Sequence, residues 1–444
     1  MDKHSQKNGI IEGTIWKQLL IFFFPILVGT FFQQLYNTVD AVIVGQFAGK
    51  EALSSVGGSS SQIINFVVGF FTGLSAGATV IISQFYGAND ANKIHRALHT
   101  AYAFSIVGGI IAGIIGIALT VPVMKLMNTP EELMQDSAMY VMIYFGGLVF
   151  IFVYNMGSAI LRAIGDSKRP LYYLIICCFI NIVLDIVFVS VLKLGVLGVA
   201  VATFISQLVS AVLVTRALMY HTEGMKLVLK EIRLHGDVLP AMLKIGLPTG
   251  IQSSMYSASN IIVQSALNGF GVDTVAAWSA FGKIDSMYWM INTAFGIAAT
   301  TFVGQNFGAG KYDRAAKTLK YATMITSVYG VFMAVIMQVL AAPLLALFTK
   351  DAAVVVLGTQ YMKGYIIDSI FAGVHFCFSG YFAAYGKSYI GFMHNIISIT
   401  FVRVPGSYLA SKLFGDTLFP MGLAAPAGSL LSVIICVCAY IYLK

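Results

Sequence analysis

Two acidic residues in apolar surroundings are the groups in this sequence best suited to chemistry. Asp185 lies within Leu171–Leu192, a stretch long and apolar enough to cross a bilayer as a helix. Asn181 precedes it by one turn on the same helical face, and Asp40 lies in a second apolar stretch, Phe22–Phe47. Because a carboxylate is costly in hydrocarbon, both acids are expected to face a bundle interior or a watery cavity.

The two acids share a depth in the membrane if each residue adds about 1.5 Å to its helix. Asp40 comes seven residues before Phe47 and Asp185 eight before Lys193, so both lie about 10–12 Å below the outer surface. Thr203, seven residues into the next span, reaches a similar level. Such oxygen ligands suit sodium, and a buried carboxyl beside another is equally suited to hold a proton. The sequence therefore predicts a coupling-ion site for a proton or sodium, formed by Asp40, Asn181, Asp185 and Thr203.

The second half of the chain places different charges in its apolar spans. Lys283, Asp285 and Arg403 are predicted to lie at one outer depth and to form an ion-pair network with a structural or gating role. Asp368 lies nearer mid-membrane, two turns before His375, and is a candidate second protonation site. The first half has no basic residue in its apolar layer, so its acids are more strongly indicated as functional.

Other polar residues in the first half are candidates for lining a substrate cavity. They are Gln33, Tyr36 and Asn37 on the first span and Tyr140 and Asn155 on the fourth. The alternative is that they are packing groups between membrane helices, which is also the open alternative for Asn181 and Thr203 taken alone.

Pro25 is a candidate hinge in the first span. It removes one backbone hydrogen bond fifteen residues before Asp40, about 22 Å along the axis. A bend there would swing the Asp40 segment as the acids load and unload, although a static kink explains the proline equally well.

The composition places these residues in an all-α polytopic membrane protein. Of 444 residues, 58% are hydrophobic and 10% charged, with a mean hydropathy of +0.83. The net charge of +8 indicates basic cytoplasmic loops and not a nucleic-acid surface. The five cysteines lie in apolar spans without metal spacing, and no nucleotide, zinc or nucleophile motif is found. We therefore expect neither an enzyme nor a cofactor.

Twelve transmembrane helices are predicted, divided by the polar stretch His221–Asp237 into lobes 1–225 and 226–444. The basic residues concentrate in loops on the same side of the membrane as the N-terminus. This predicts a multi-pass protein of the inner (plasma) membrane with both termini cytoplasmic. The chain is expected to be a monomer in the lipid bilayer. The spans begin near Trp16, Leu53, Ala97, Asp136, Leu171, Val196, Leu239, Val275, Leu319, Val354, Tyr389 and Phe419.

The two halves repeat. Gln84-Phe85-Tyr86-Gly87-Ala88 recurs 221 residues later as Gln305-Asn306-Phe307-Gly308-Ala309. Ala163-Ile164-Gly165-Asp166-Ser167 recurs at the same offset as Ala384-Tyr385-Gly386-Lys387-Ser388. Six spans per repeat give both copies one orientation, which predicts pseudo-symmetry about an axis along the membrane normal.

From Trp16 to Tyr442 the sequence resembles the multidrug and toxic compound extrusion (MATE) family. The resemblance rests on the paired Gln-x-x-Gly-Ala segments and on three further stretches, which are Pro25 to Gly45 with Gln33-Gln34-Leu35-Tyr36-Asn37-Thr38-Val39-Asp40, Leu161 to Pro170, and Asn181-x-x-x-Asp185. It implies two six-helix lobes and alternating access. It also implies export of amphipathic, often cationic compounds against an inward flow of protons or sodium.

The resemblance also implies roles for residues. In members with this pattern, the residues matching Asp40, Asn181, Asp185 and Thr203 form the coupling-ion site, and Gln33, Tyr36, Tyr140 and Asn155 fall where cavity residues would be. One departure is the stretch Gly250–Tyr256, which lacks the glutamate that some members use for a cation in the second lobe.

Two other functions are weighed against drug export. A lipid-linked oligosaccharide flippase of the same superfamily would need a strongly basic cavity for phosphate, and the first half has no intramembrane Arg or Lys. A membrane enzyme or receptor would need a polar catalytic cluster or a large extramembrane domain, and neither is visible in the sequence.

Overall fold

The computed structural model describes residues 9–127, 129–220, 225–268, 272–349, 351–414 and 417–443. Residues 1–8 and 444 lie outside the described part, and so do 221–224 at the start of the predicted boundary stretch. The prediction about the two termini therefore falls on residues that are not described. Throughout the described ranges the regular structure is helical.

Helices follow one another through the whole described chain. In the first half they are α1 Gly9–Glu12, α2 Ile15–Phe47, α3 Gly49–Gly57, α4 Ser59–Gly87, α5 Ala91–Leu126, α6 Glu131–Gly146, α7 Leu148–Ala163, α8 Lys168–Asp185 and α9 Gly195–Met219. In the second half they are α10 Val238–Asn268, α11 Val272–Gly308, α12 Tyr312–Ala346, α13 Ala352–Tyr365, α14 Ser369–Ala384, α15 Ser388–Ser398, α16 Val404–Leu413, α17 Phe419–Gly422 and α18 Ala424–Leu443.

Joined across short breaks, the long helices make the twelve spans that the sequence predicts, and the fold class is confirmed. Eight of the described helices are long and apolar enough to cross a membrane on length and composition alone. A ninth span is α6 with α7, bent by 48° at Gly147. Polar residues lower the hydropathy of the remaining spans, such as α10 with its run of serines.

Two spans contain a π-helical stretch. Ile186–Val191 continues α8 directly after Asp185, and Ile399–Arg403 joins α15 to α16. A π turn inserts one residue into the helical ladder and is frequent at functional sites. The sequence analysis did not anticipate either stretch, since neither contains a glycine or proline that would mark it.

The chain divides into two compact units, and each takes in residues from both predicted lobes. The N-unit is Phe24–Gly246, and the C-unit is Met1–Phe23 with Leu247–Lys444. The N-unit thus continues past the predicted boundary at residues 225 and 226 as far as Gly246. The chain crosses between units inside α2 and inside α10, within two residues of Pro25 and Pro248.

Side-chain hydrogen bonds to backbone carbonyls, together with ring contacts, explain why residues 9–23 belong to the C-unit. Arg314 donates from Nε and Nη2 to the Ile10 carbonyl, at 3.2 and 3.1 Å, and from Nη2 also to the Gly13 carbonyl. Further along, Phe23 stacks on Phe295 with ring centroids 4.0 Å apart. These charge-assisted bonds and aromatic contacts hold residues 9–23 to α11 and α12.

The residues before Leu247 belong to the N-unit because glycines let two backbones meet. An added Cβ on Gly77 would lie 2.1 Å from the Met242 carbonyl oxygen, and one on Gly246 would lie 2.5 Å from the Leu74 carbonyl oxygen. Only glycine permits α4 and the start of α10 to approach so closely.

Candidate functional site

The side-chain amide of Asn181 joins the two acids of the N-unit. With its nitrogen turned to the carboxylates, it lies 2.7 Å from Asp40 Oδ1 and 3.3 Å from Asp185 Oδ2. This orientation is assigned from the hydrogen bonds it satisfies. One amide on α8 therefore donates to carboxylates on two helices, α2 and α8.

The site is shielded on all sides. Asn181 and Asp185 are fully buried, and Asp40 retains 7% of its exposure. Thr203, on α9, is 2% exposed and accepts a hydrogen bond from the Tyr36 hydroxyl at 3.4 Å. The four predicted coupling-ion residues thus come from three neighbouring helices, α2, α8 and α9, and lie in the buried part of one unit.

One oxygen of this cluster has no hydrogen-bond partner within the described residues. It is Asp185 Oδ1, at the point where α8 passes into its π-helical stretch. A buried carboxylate oxygen left unsatisfied is costly, and a proton or a cation would satisfy it. The unsatisfied oxygen therefore gives the two buried carboxylates a position for a proton or a cation.

The predicted cavity residues differ in their exposure. Gln33 and Asn37 are exposed, whereas Tyr140 is buried in the hydrophobic core of the N-unit. Asn155 donates to the Ile151 carbonyl at 3.0 Å and lines a void of only about 10 Å³ with Phe71 and its neighbours. Of the five candidates, Tyr36 contacts Thr203, a residue of the predicted coupling-ion site.

The charged residues of the C-unit do not form the predicted ion-pair network. Lys283 and Asp285 are two positions apart on α11, so their side chains diverge, and Lys283 is exposed. Arg403 instead donates from Nη2 to Asn260 Oδ1 at 2.8 Å. No ion pair joins these three residues. The prediction of an ion-pair network among them is therefore wrong.

Asp368 and His375 are both buried in the C-unit. Asp368 ends a short 3₁₀ turn, Ile366–Asp368, and its Oδ1 has no hydrogen-bond partner among the described residues. The His375 ring packs 5.6 Å from the ring of His394. The structure thus leaves two buried ionisable side chains in this unit but does not bond them to each other.

Sequence reasoning missed a polar cluster beside these residues. The Tyr256 hydroxyl donates to Asn395 Oδ1, and Ser379 Oγ lies 2.9 Å from His394 Nε2. Asn395 Nδ2 lies 3.5 Å from the same imidazole nitrogen. The signal available in the sequence was the pair His394-Asn395 inside an apolar span.

Two histidines at the start of α5 and a glutamate of the segment 225–237 are residue types that bind metals. Ligand atoms of His95, His99 and Glu231 lie within 4.8 Å of one another. The His99 ring, however, donates from Nδ1 to the His95 carbonyl at 2.7 Å and accepts the Val228 N–H at Nε2, at 3.0 Å. Both ring nitrogens of His99 are therefore engaged. The cluster is better suited to hold the segment 225–237 against α5 than to bind a metal.

The chain is similar to known proteins over most of its length. The family model described as MatE matches it twice, over residues 25–187 and 248–409. The chain is 29% identical over 422 residues to the probable multidrug resistance protein YpnP of Bacillus subtilis, covering 93% of this chain and 92% of that protein. It is 22% identical to the multidrug export protein MepA of Staphylococcus aureus, covering 91% and 89%.

Solved structures share the fold. One described as the outward-facing conformation of a multidrug resistance MATE family transporter of the MOP superfamily superposes with a TM-score of 0.92 at 20% identity, covering all of both chains. Another, described as MATE in the straight conformation, gives 0.90 at 20% identity and covers 99% and 98%. The two matched stretches begin at Pro25 and Pro248, the same prolines that flank the crossings between units.

Proposed function

The chain belongs to the MATE family of multi-pass membrane transporters, and we propose that it exports small amphipathic, cationic compounds in exchange for protons or sodium. The observation that carries the proposal is the amide of Asn181, which lies within 3.3 Å of both buried carboxylates. Two acids held this closely cannot both stay ionised in a dry site without a compensating charge.

The charge state of these acids couples the ion to the cargo. When Asp40 and Asp185 are both ionised, repulsion and hydration favour an open, watery arrangement of α2, α8 and α9. When a proton or sodium neutralises them, the same helices can pack closely. An exporter needs two such arrangements of different cargo affinity, and the free energy of ion binding then shifts the equilibrium between them.

The proposed topology follows from the basic residues. We propose an inner-membrane protein with both termini cytoplasmic, which acts as a monomer. The positive-inside distribution supports the orientation, since Lys311 immediately precedes α12 and Arg314 and Lys317 lie in its first two turns. A reporter fused after α18 and read from each side of the membrane tests it.

Other functions are less well supported. Relatives and structural neighbours of the chain are transporters and not enzymes. A lipid-linked oligosaccharide flippase is not favoured, because the curated relatives are multidrug proteins and the buried site of the N-unit is acidic.

Counterflow of a labelled organic cation in proteoliposomes tests the proposal, with proton and sodium gradients imposed separately. Asp40→Asn and Asp185→Asn are each expected to abolish coupled uptake, while the exposed Asp136→Asn on α6 serves as the matched control. Size-exclusion profiles establish that all variants fold. Normal coupled transport by either buried variant, at normal expression, rules out the assignment of the acids.

A further inference from the structure

A cavity of the C-unit lies away from the acids, at one end of the unit. It has a volume of about 270 Å³ and lies between the start of α12 and the ends of α14 and α18. This is close to the lower end of the roughly 300–1,000 Å³ of pockets that enclose drug-sized ligands. The volume accommodates a head group.

Tyrosine rings form most of the wall. Tyr381 lies 4.6 Å from Tyr385 and 5.6 Å from Tyr440, measured between ring centroids, and Tyr312 also lines the space. Three of these rings are half-buried and Tyr312 is exposed at the mouth. Aromatic faces attract organic ammonium ions through their quadrupoles, and a cage of several rings is a recurrent ammonium site.

Two opposite charges share the cavity without neutralising each other. Asp313 and Lys387 both line it, yet among the described residues neither has an ion-pair partner within 4.0 Å. A ligand with both charges would satisfy both. Its ammonium group would meet the tyrosines and Asp313, and its anionic group would meet Lys387.

The repeat shows that the fold itself does not require these groups. At the 221-residue offset the positions of Tyr381 and Tyr385 are Ile160 and Ile164, and Lys387 corresponds to Asp166. Tyr312 and Asp313 likewise correspond to Ala91 and Asn92. The other half forms the same helices with aliphatic and differently charged side chains, so the cavity's chemistry belongs to the second repeat alone.

We propose that this cavity binds a zwitterionic head group that carries an ammonium and a phosphate. The end of α18 supplies the place for an attached tail, since Leu443 lines the cavity and Ile441 beside it is 68% exposed. The basic residues predict that this end of the C-unit faces the cytoplasm, where a phospholipid head group or a soluble amino-phosphate reaches it. The inference concerns binding and does not depend on the transport proposed above.

Native mass spectrometry of the delipidated full-length protein tests the inference. It is titrated with phosphatidylethanolamine and, in parallel, with phosphatidylglycerol of the same acyl chains. We expect one additional phosphatidylethanolamine per protein, with its occupancy lowered roughly fivefold by Asp313→Asn and by Lys387→Gln. Lys317→Gln, an exposed lysine of the same region that does not line the cavity, is the matched control.

A competition with soluble phosphoethanolamine separates the two sources. Displacement of the lipid shows that the head group alone is recognised, so a soluble amino-phosphate is a ligand. Retention of the lipid shows that its acyl chains contribute and that the lipid is the ligand. Equal binding of the two lipids, or ethanolamine-lipid binding that neither substitution weakens, overturns the proposal.

Discussion

The amide nitrogen of Asn181 lies 2.7 Å from Asp40 Oδ1, and this contact ties α8 to α2 within the N-unit. Because the same amide also reaches Asp185, its removal leaves two buried carboxylates without their shared donor. We expect Asn181→Leu, which keeps the volume, to lower ion-coupled transport about 10- to 100-fold, as loss of an orienting group does in ion sites.

Coupled uptake at several imposed ion gradients measures this loss. Asn65→Leu, at an exposed asparagine on α4, is the control. If both leucine variants transport equally well, the bridging amide has no part in coupling.

Close backbone packing between α4 and α10 makes a prediction about stability. Gly77→Ala or Gly246→Ala would place a methyl group within 2.5 Å of a carbonyl oxygen, and backbone atoms cannot move aside as a flexible side chain can. We expect each to destabilise the N-unit by about 1–3 kcal/mol, the usual cost of overpacking.

Thermal unfolding in detergent tests this cost. Gly108→Ala on α5 is the control, since its new methyl group would meet nothing closer than 3.9 Å and alanine is the better helix former. Melting temperatures that do not differ among the three variants contradict the prediction.

The dock of segment 225–237 on α5 should weaken in acid. His235 Nδ1 lies 2.8 Å from Thr100 Oγ1, and its Nε2 accepts the Arg233 Nε–H at 3.1 Å. Partial burial, followed by the charges of Arg233 and Arg96, lowers the pKa of His235. Protonation of His235 at Nε2 would place its new N–H against the Arg233 Nε–H, and the hydrogen bond between them would be lost.

The sign follows from this lowered pKa. At a given pH the docked segment binds fewer protons than the undocked one. Docking is therefore fully stable above the pKa of an undocked histidine, about 6.5, and weakens as the pH falls through the lower pKa of docked His235. Amide hydrogen exchange at Leu227, which is buried when docked, measures the effect. His235→Gln should lose part of the pH dependence, whereas unchanged wild-type protection across this range would refute it.

Pro25 is proposed as a hinge of α2, and Pro248 in α10 has an equivalent place. Each lies within two residues of a crossing between units, and each removes one helical hydrogen bond. We expect Pro25→Ala to impair transport strongly while leaving the melting temperature equal or higher.

Pro122→Ala is the control, because Pro122 interrupts α5 well inside the N-unit. The same transport and melting assays apply to both alanine variants. Full activity of Pro25→Ala would leave a static kink as the explanation.

Hydrophobic length and helical periodicity were sufficient to predict the spans and to single out Asp40, Asn181 and Asp185, which lie together in the structure. These are local properties, and depth follows from a constant rise per residue. The prediction for Lys283, Asp285 and Arg403 used the same depth argument and did not give the contacts. Depth does not determine which face of a helix a residue occupies, and Arg403 turns to Asn260.

The positions at which the chain crosses between the units could also not be predicted from the sequence. These positions depend on contacts between residues far apart in the chain, such as Gly77 with Met242. Such a contact forms only because glycine has no Cβ. The π-helical stretch after Asp185 depends on packing around it for the same reason.

The anchoring of the first residues by Arg314 imposes an order on biogenesis. The two partners, Ile10 and Arg314, are 304 residues apart in the chain. At about 5–20 residues per second, the ribosome needs roughly 15–60 s between them. During that interval residues 24–246 are complete and can assemble, whereas Ile10 and Gly13 still lack the side chain that holds them. The N-unit can therefore form before the segment that precedes α2 reaches its partner on α12.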